Sequence, residues 1–569
     1  MALRYLAYQG RNSPGHPGPP PGLKEVFRSE TVAIFANAEV IALPGQAGII
    51  VGHLFSRTIP SSRIQKLPAE DSIKIIDTGG SALLSQFWGG YVAFLKLPEG
   101  DIVIRDPSGT VPCYYAPTLG GWVVASDMDL LAETLPAKPS PDWDALLRHL
   151  ASGEFRRPET ALHGVTELLA GFRLLAGADV QVITAWSPWD HIGGASQSDR
   201  DAATRLLVVS DSTIRAWGDC FNAVGVSLSG GLDSSIVAAG LRERPNNLTL
   251  LNMAGDDAES DERAYARLAA EVVGVRLTEA FYDLADIDFA RATSAYLPRP
   301  VFGGLARADM AIKQRVEAAE GLDAWFGGLG GDNVFCLMQS TTPVLDRLHL
   351  QGLSPRVLST LIDVMDLTGC SLWQALKQMR RTAKAFRGRY ALAPQPSLLN
   401  FKKLANTKID FNHAWLDAPK GTPIGKTVHV AMLQRIQAAT DGFPRSGAPL
   451  ILPLLSQPIV EMCLSIPTWQ WCAGGHNRAV ARRAYSSVLP EPLVYRRSKG
   501  GPSRFAYAAV DSQRSKLKEL LLGGLLAQQE LIDVTSIEDL VSSTKPIPAE
   551  HYVRLTMLAE AEVWARHWS

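Results

Sequence analysis

Residues 224–237 read Val-Gly-Val-Ser-Leu-Ser-Gly-Gly-Leu-Asp-Ser-Ser-Ile-Val. An apolar, β-branched run meets Ser229-Gly230-Gly231, then Asp233-Ser234-Ser235, and an apolar helical pattern continues to Leu241. This predicts a buried strand that turns sharply into a helix, with glycines at the turn. Glycine lets backbone come close to a bound group, and the N–H groups that open a helix attract negative charge. Such a loop is built to hold pyrophosphate. The Asp233 carboxylate beside it suits a Mg²⁺ shared with the phosphates. No Gly-Lys-Ser/Thr follows, so the spacing is not that of the Walker loop.

Instead, SGGLDSS resembles the pyrophosphate loop of the ATP pyrophosphatases, which split ATP into AMP and pyrophosphate to activate a carboxyl or carbonyl group. A second cluster, residues 324–335, reads Ala-Trp-Phe-Gly-Gly-Leu-Gly-Gly-Asp-Asn-Val-Phe. It resembles the Ser-Gly-Glu-Gly-x-Asp-Glu-Leu-Phe segment of asparagine synthetases and their relatives. The resemblance matches Asp332 to that family's second Mg²⁺ carboxylate, and Gly327 and Gly328 to its nucleotide-contacting pair. Asp233 and Asp332 would then converge on one metal, offsetting their repulsion for a triphosphate.

A third segment, Arg496-Arg497-Ser498-Lys499-Gly500-Gly501, follows Pro490–Tyr495. Here the resemblance matches Lys499 to the family lysine that neutralises charge on the α-phosphate and the reacting carbonyl oxygen. Pro453–Glu461 and Ile466-Pro467 resemble the "PFLD…VE…LP" region, with Ser456 where Asp is usual. The implied nucleotide set is Leu228, Ser229, Gly230, Gly231, Asp233, Ser234 and Ser235, with Met253 near the adenine at the end of a strand over 248–253.

At 569 residues the chain exceeds one hydrophobic core. We expect an α/β protein with two domains: residues 1–195, β-rich and glutaminase-like, and residues 200–569, a parallel-sheet ATP-pyrophosphatase domain with a helical region over about 340–440. A net charge of −1 argues against a cationic nucleic-acid binder, including the tRNA-modifying pyrophosphatases. The six cysteines form no CxxC pair, so they read as reduced cytosolic thiols rather than a zinc site. The apolar stretch Val40–Phe55 is broken by Pro44, Gly45 and Gln46; we expect no signal peptide, no membrane span and a cytoplasmic location.

Strand-like patches in the first half (Val32–Phe35, Ala47–Val51, Tyr91–Leu97, Ile102–Ile104, Trp122–Ala125) alternate with turn residues. Ser13–Gly22 reads as a loop. Phe87–Phe94, Arg105–Tyr115, Ala125–Asp127 and Gly164–Gly171 resemble the glutaminase-type domain that precedes asparagine synthetase. A working glutaminase needs an N-terminal cysteine, whose thiolate attacks the glutamine amide. Position 2 is Ala2, no cysteine precedes Cys113, and the Arg-Gly-Pro-Asp motif is missing. Cys113 reads as a packing residue. We expect a domain that kept its scaffold and lost its chemistry, so the amine must come from elsewhere.

Two kinds of relative work without glutamine. β-Lactam synthetases close a ring within a small amino acid. Lasso peptide cyclases adenylate an Asp or Glu side chain of a precursor peptide, which the peptide's own N-terminal amine then attacks. The degenerate first domain with Gly52-His-Leu-Phe55, and Gly331-Asp-Asn-Val in the second cluster, resemble the cyclases most. The β-lactam type pairs a Glu in that cluster with an upstream Tyr as base; here the Glu position is Leu329, and Tyr296 stands at the upstream spacing. A peptide α-amine, pKa ~7.7–8.0, needs positioning more than deprotonation. The resemblance implies ATP and Mg²⁺, a precursor peptide, a leader-recognition protein and a leader peptidase as partners, and neither nucleic acid nor membrane. A glutamine-independent asparagine synthetase-like or β-lactam synthetase-like small-molecule ligase stays open.

Residues 260–274 predict an amphipathic helix with Ser260 as N-cap, acids in its first turn and Gly274 as stop. Ser371–Tyr390 carries Lys377, Arg380, Arg381, Lys384, Arg387 and Arg389 with no acid. It reads as a solvated helix face or a docking surface.

Overall fold

The computed structural model describes residues 3–10, 18–118, 121–152, 155–176, 180–193, 198–244, 247–255, 261–301, 306–409, 413–440, 447–496 and 503–569. The β-rich half is a sandwich of two antiparallel sheets. One is ordered Thr166–Glu167, Tyr114–Thr118, Gly121–Ala125, Tyr5–Gly10, Val32–Ala36, Lys24–Arg28. The other is ordered Gln181–Thr184, Phe172–Ala176, Gly100–Arg105, Phe87–Leu97, Gly48–Ser56, Val40–Leu43, with Arg63–Ile64 paired to Gly48–Ser56. The five strand patches expected from the pattern fall in these strands, except that Ala47 precedes Gly48–Ser56 in a turn.

Side chains alternate across a strand, and here each face meets a different core. Ile49 and Val51 point into the sandwich with Ile34, Phe94 and Val124, while Ile50 and Leu54 pack on the C-terminal half with Trp217 and Val226. In the other sheet, Ala33 and Phe35 face the C-terminal helix Ala549–Trp568, through Leu558 and Trp564. Both outer faces of the sandwich are therefore covered by the rest of the chain, which explains strands apolar on both sides. Cys113 lies inside the sandwich, fully buried. Burial pushes its thiol up to about 11, which suits packing and not nucleophilic attack.

After Thr184 the helix Asp199–Gly218 leads to a parallel sheet ordered Leu277–Phe281, Leu248–Ala254, Val224–Ser227, Ala324–Gly327, Leu450–Ile451. The α/β architecture is as expected. Helices Thr342–Gln351, Pro355–Thr368, Leu372–Ala385, Phe401–Asn406 and Ile424–Ala439 make up the helical region. The expected helix at 260–274 begins later, at Arg263, and ends at Val273 with left-handed Gly274. Asp261 and Glu262 therefore precede its first turn, and the proposed cap Ser260 lies outside the described residues. In the basic segment, Ser371 and Gln374 form a capping box for Leu372–Ala385, and Arg389 pairs with Asp417. No helix among the described residues is long and apolar enough to cross a membrane.

Candidate active site

Two glycine-rich turns meet at the carboxyl ends of the adjacent strands Val224–Ser227 and Ala324–Gly327. This is where open α/β sheets bind ligands. The first turn runs into the helix Leu232–Gly240, with Gly230 at φ +77°. A Cβ at Gly230 would lie 2.8 Å from Glu262 O and 2.9 Å from Ala266 N, so the loop can lie flat on the neighbouring helix only with glycine there. The hydroxyls brace the loop. Ser234 Oγ accepts from Ser229 N–H at 3.2 Å, and Ser235 Oγ donates to Gly231 O at 2.8 Å.

The second turn closes on the first. A Cβ on Gly328 would stand 2.4 Å from Ser234 N, and one on Gly331 would stand 2.3 Å from Asp233 Cγ. Glycine at 328 and 331 thus brings Asp332, in the first turn of Gly331–Val334, beside Asp233. Arg478 spans the two acids: its Nη1 donates to Asp233 Oδ2 at 2.8 Å and to Asp332 Oδ1 at 2.5 Å. One cationic nitrogen serving two carboxylates marks a place suited to a divalent cation. Arg478 itself holds a left-handed backbone (φ 53°, ψ 33°), a strain of about 1–3 kcal/mol that surrounding contacts must offset.

These groups line a pocket of about 440 Å³. Of the nucleotide set, Ser229, Gly231, Asp233, Ser234, Met253, Gly327 and Gly328 are in its walls, with Asp332. Leu228, Gly230 and Ser235 sit behind the wall as supports: Leu228 and Ser235 are buried, and Leu228 O accepts from Asn252 Nδ2 at 2.7 Å. Lys499 lies outside the described residues.

Tyr296 is not in this pocket. It lines a second cavity, its carbonyl accepting from Met128 N–H at 2.9 Å. The reason is the C-terminal helix, which pins the neighbouring backbone: Trp564 Nε1 donates to Leu297 O at 2.9 Å and Trp568 Nε1 to Ala295 O at 3.0 Å. Leu329 is exposed and lines the first pocket.

Sequence reasoning missed several pocket residues. Arg482 sits one turn beyond Arg478 and is held by Asn477 O and Oδ1, each at 2.7 Å. Burial, then the neighbouring Arg478 charge, draws its guanidinium down to about 10. Arg496 pairs with Glu262 at 2.7 Å and lies 3.9 Å over the Tyr265 ring, tying the loop, the helix and the 490–496 segment together. Asp309 and Lys313 face the pocket as an ion pair at 2.6 Å. For Arg478 and Arg482 the hint in the sequence is the arginine run Asn477-Arg-Ala-Val-Ala-Arg-Arg483, which reads as an ordinary basic helix; Arg496 opens the segment that carries Lys499. Glu461, from the "VE" region, is a strut instead, bound by Arg57 at 2.6 Å, Trp186 Nε1 at 3.0 Å and Gln457 at 2.7 Å. Ser456 accepts from Trp217 Nε1 at 2.9 Å.

Residues 219–566, more than half of the chain, match the family model described as asparagine synthase. Among solved structures, glutamine phosphoribosylpyrophosphate amidotransferase from B. subtilis, complexed with ADP and GMP, is 11% identical. It covers 58% of this chain and 86% of its own, at a TM-score of 0.17, too low to carry an argument. Comparison with curated proteins returns no match.

Proposed function

We propose, for a chain that belongs to the asparagine synthase family and is thereby an ATP-dependent amide-forming ligase, that it is a lasso peptide cyclase. It joins an Asp or Glu side chain of a leader-free precursor peptide to that peptide's N-terminal amine. The observation that carries this reading is the fate of the N-terminal half. Its one cysteine, Cys113, is sealed in the sandwich with a raised pKa, so glutamine supplies no ammonia and the amine belongs to the substrate.

The residues fit a Mg²⁺-nucleotide. Asp233 and Asp332 would hold the ion where Arg478 now bridges them, and the phosphates would complete its shell. No group of three or more His, Cys, Asp or Glu is placed for a metal among the described residues. When bound, the ion lends charge to the triphosphate oxygens. The turn that opens the helix Leu232–Gly240 would receive the phosphates, and Arg478 and Arg482, which line the same pocket, would meet the departing pyrophosphate.

A carboxylate oxygen of the peptide attacks the α-phosphorus; the bond to the bridging oxygen breaks and pyrophosphate leaves. The α-amine nitrogen then attacks the acyl carbon, the bond to AMP oxygen breaks, and the amine sheds one proton. Lys499 is the cation proposed for the oxyanion and phosphate charge. A leader-recognition protein and a peptidase would deliver the leader-free peptide.

The test is ATP–pyrophosphate exchange with the synthetic core peptide. Exchange that needs the peptide's side-chain carboxylate supports the reading. Exchange driven by free aspartate alone supports a small-molecule ligase.

A further inference from the structure

The second cavity is about 860 Å³, nearly twice the nucleotide pocket, and the two share Leu450 as a wall. Residues from both halves of the chain line it: Asn37, His53 and Thr110 from the sandwich, Trp217, Phe221 and Ile451 from the rest. A pocket of 440 Å³ has the size of a site for one small molecule. A nucleotide there leaves no room for a peptide chain, which must lie elsewhere and reach in.

The cavity wall is made ready for such a chain. Trp217 is fixed by its bond to Ser456. His53 meets Trp217 edge-on at 5.4 Å and Phe221 at 5.8 Å, across the junction of the two halves. Burial draws the His53 imidazole down to about 4, so it stays neutral and the aromatic wall stays apolar. Fixed aromatic surface binds side chains with little ordering cost. The charged lining is mixed: Arg4 and Lys24 stand with Glu39 and Asp127, Arg4 pairs with Asp127 at 3.1 Å, and Glu39 pairs with Arg63, outside the lining, at 2.8 Å. That wall suits neutral peptide with apolar or aromatic side chains better than a second phosphate ligand.

We propose that this interdomain cavity seats the peptide part of the substrate, so that the segment bearing the reacting carboxylate passes Leu450 into the nucleotide pocket. The inference rests on the cyclase reading, and it gives the N-terminal sandwich a binding role in place of its missing chemistry.

The probe is a synthetic leader-free candidate core peptide, taken from a small open reading frame beside this gene. Ala38→Trp places an indole in the cavity, away from the nucleotide. It should raise the peptide KM about tenfold while the ATP KM holds; an unchanged peptide KM overturns the proposal. Independently, p-benzoylphenylalanine at position 110, on the exposed part of the wall, should crosslink to the peptide. Absence of any peptide adduct there also overturns it, even if Ala38→Trp fails to fold. Crosslinking without ring closure by the wild type sinks the cyclase reading alone. Ring closure with no adduct and a normal Ala38→Trp KM sinks the cavity alone.

Discussion

Arg478 Nη1 donates to Asp233 Oδ2 at 2.8 Å, joining residues 245 positions apart in the chain. The same nitrogen reaches Asp332, so one guanidinium is shared by both acids of the site and offsets half of their charge. The two acids and the arginine between them are the charged centre of this pocket.

Arg478→Ala should leave the fold intact yet weaken ATP binding. Loss of a charge-assisted contact to phosphate predicts an ATP KM about ten- to a hundredfold higher. Asp233→Ala should abolish pyrophosphate exchange, falling by about a thousandfold. Steady-state kinetics against ATP checks both, and equal KM values for Arg478→Ala and wild type would exclude Arg478 from phosphate binding.

Gly331→Ala tests the closeness of the two turns. Its Cβ would collide with the Asp233 side chain, 2.3 Å from Cγ and 2.6 Å from Cβ, so the carboxylate would have to shift. Activity should drop about a hundredfold while the melting temperature shifts by only a few degrees. A fully active Gly331→Ala protein would mean the carboxylates need not lie this close.

How much of this was legible beforehand follows from range in sequence. Ser229–Ser235 and Gly327–Asp332 could be read because each is a local turn whose glycines and acids are contiguous. The strands of the sandwich showed as strand-like patches separated by turn residues. Arg478 and Arg482 could not be read so, since only the fold carries their helix to the carboxylates. Tyr296 was matched by spacing, but spacing does not record that Trp564 and Trp568 pin its segment to the C-terminal helix. The interdomain cavity arises from two halves meeting, which no local pattern reports.

Asp309 is, among the described residues, the carboxylate in the nucleotide pocket that Arg478 does not hold. Under the cyclase reading it would accept the proton that the attacking amine sheds. Asp309→Asn should slow amide formation about a hundredfold. Trapping of the adenylate by hydroxylamine, already neutral at pH 7, should persist. Equal loss in both assays would instead assign Asp309 to nucleotide binding.

Glu167 is fully buried among Arg156, Arg299 and Arg105, with bonds of 3.0, 2.5 and 2.7 Å. Burial alone would raise its carboxyl; the three guanidinium groups more than offset this and hold it at about 2, against an ordinary 4.5. A depressed folded pKa gives stability that is complete above about pH 4.5 and lost as pH falls toward 2. Glu167→Gln should therefore cost about 3–5 kcal/mol near neutrality. In denaturant titrations the gap between wild type and variant should shrink below pH 4.5. A gap independent of pH would show that the ionised carboxylate is not what stabilises this cluster.

The most direct test of the account is mass spectrometry of the synthetic core peptide incubated with the protein, ATP and Mg²⁺, with Asp233→Ala as control. The account predicts a product one water lighter, resistant to carboxypeptidase, formed together with AMP and pyrophosphate, and absent with the control. A peptide that stays linear while AMP forms from free aspartate and ammonia would contradict it.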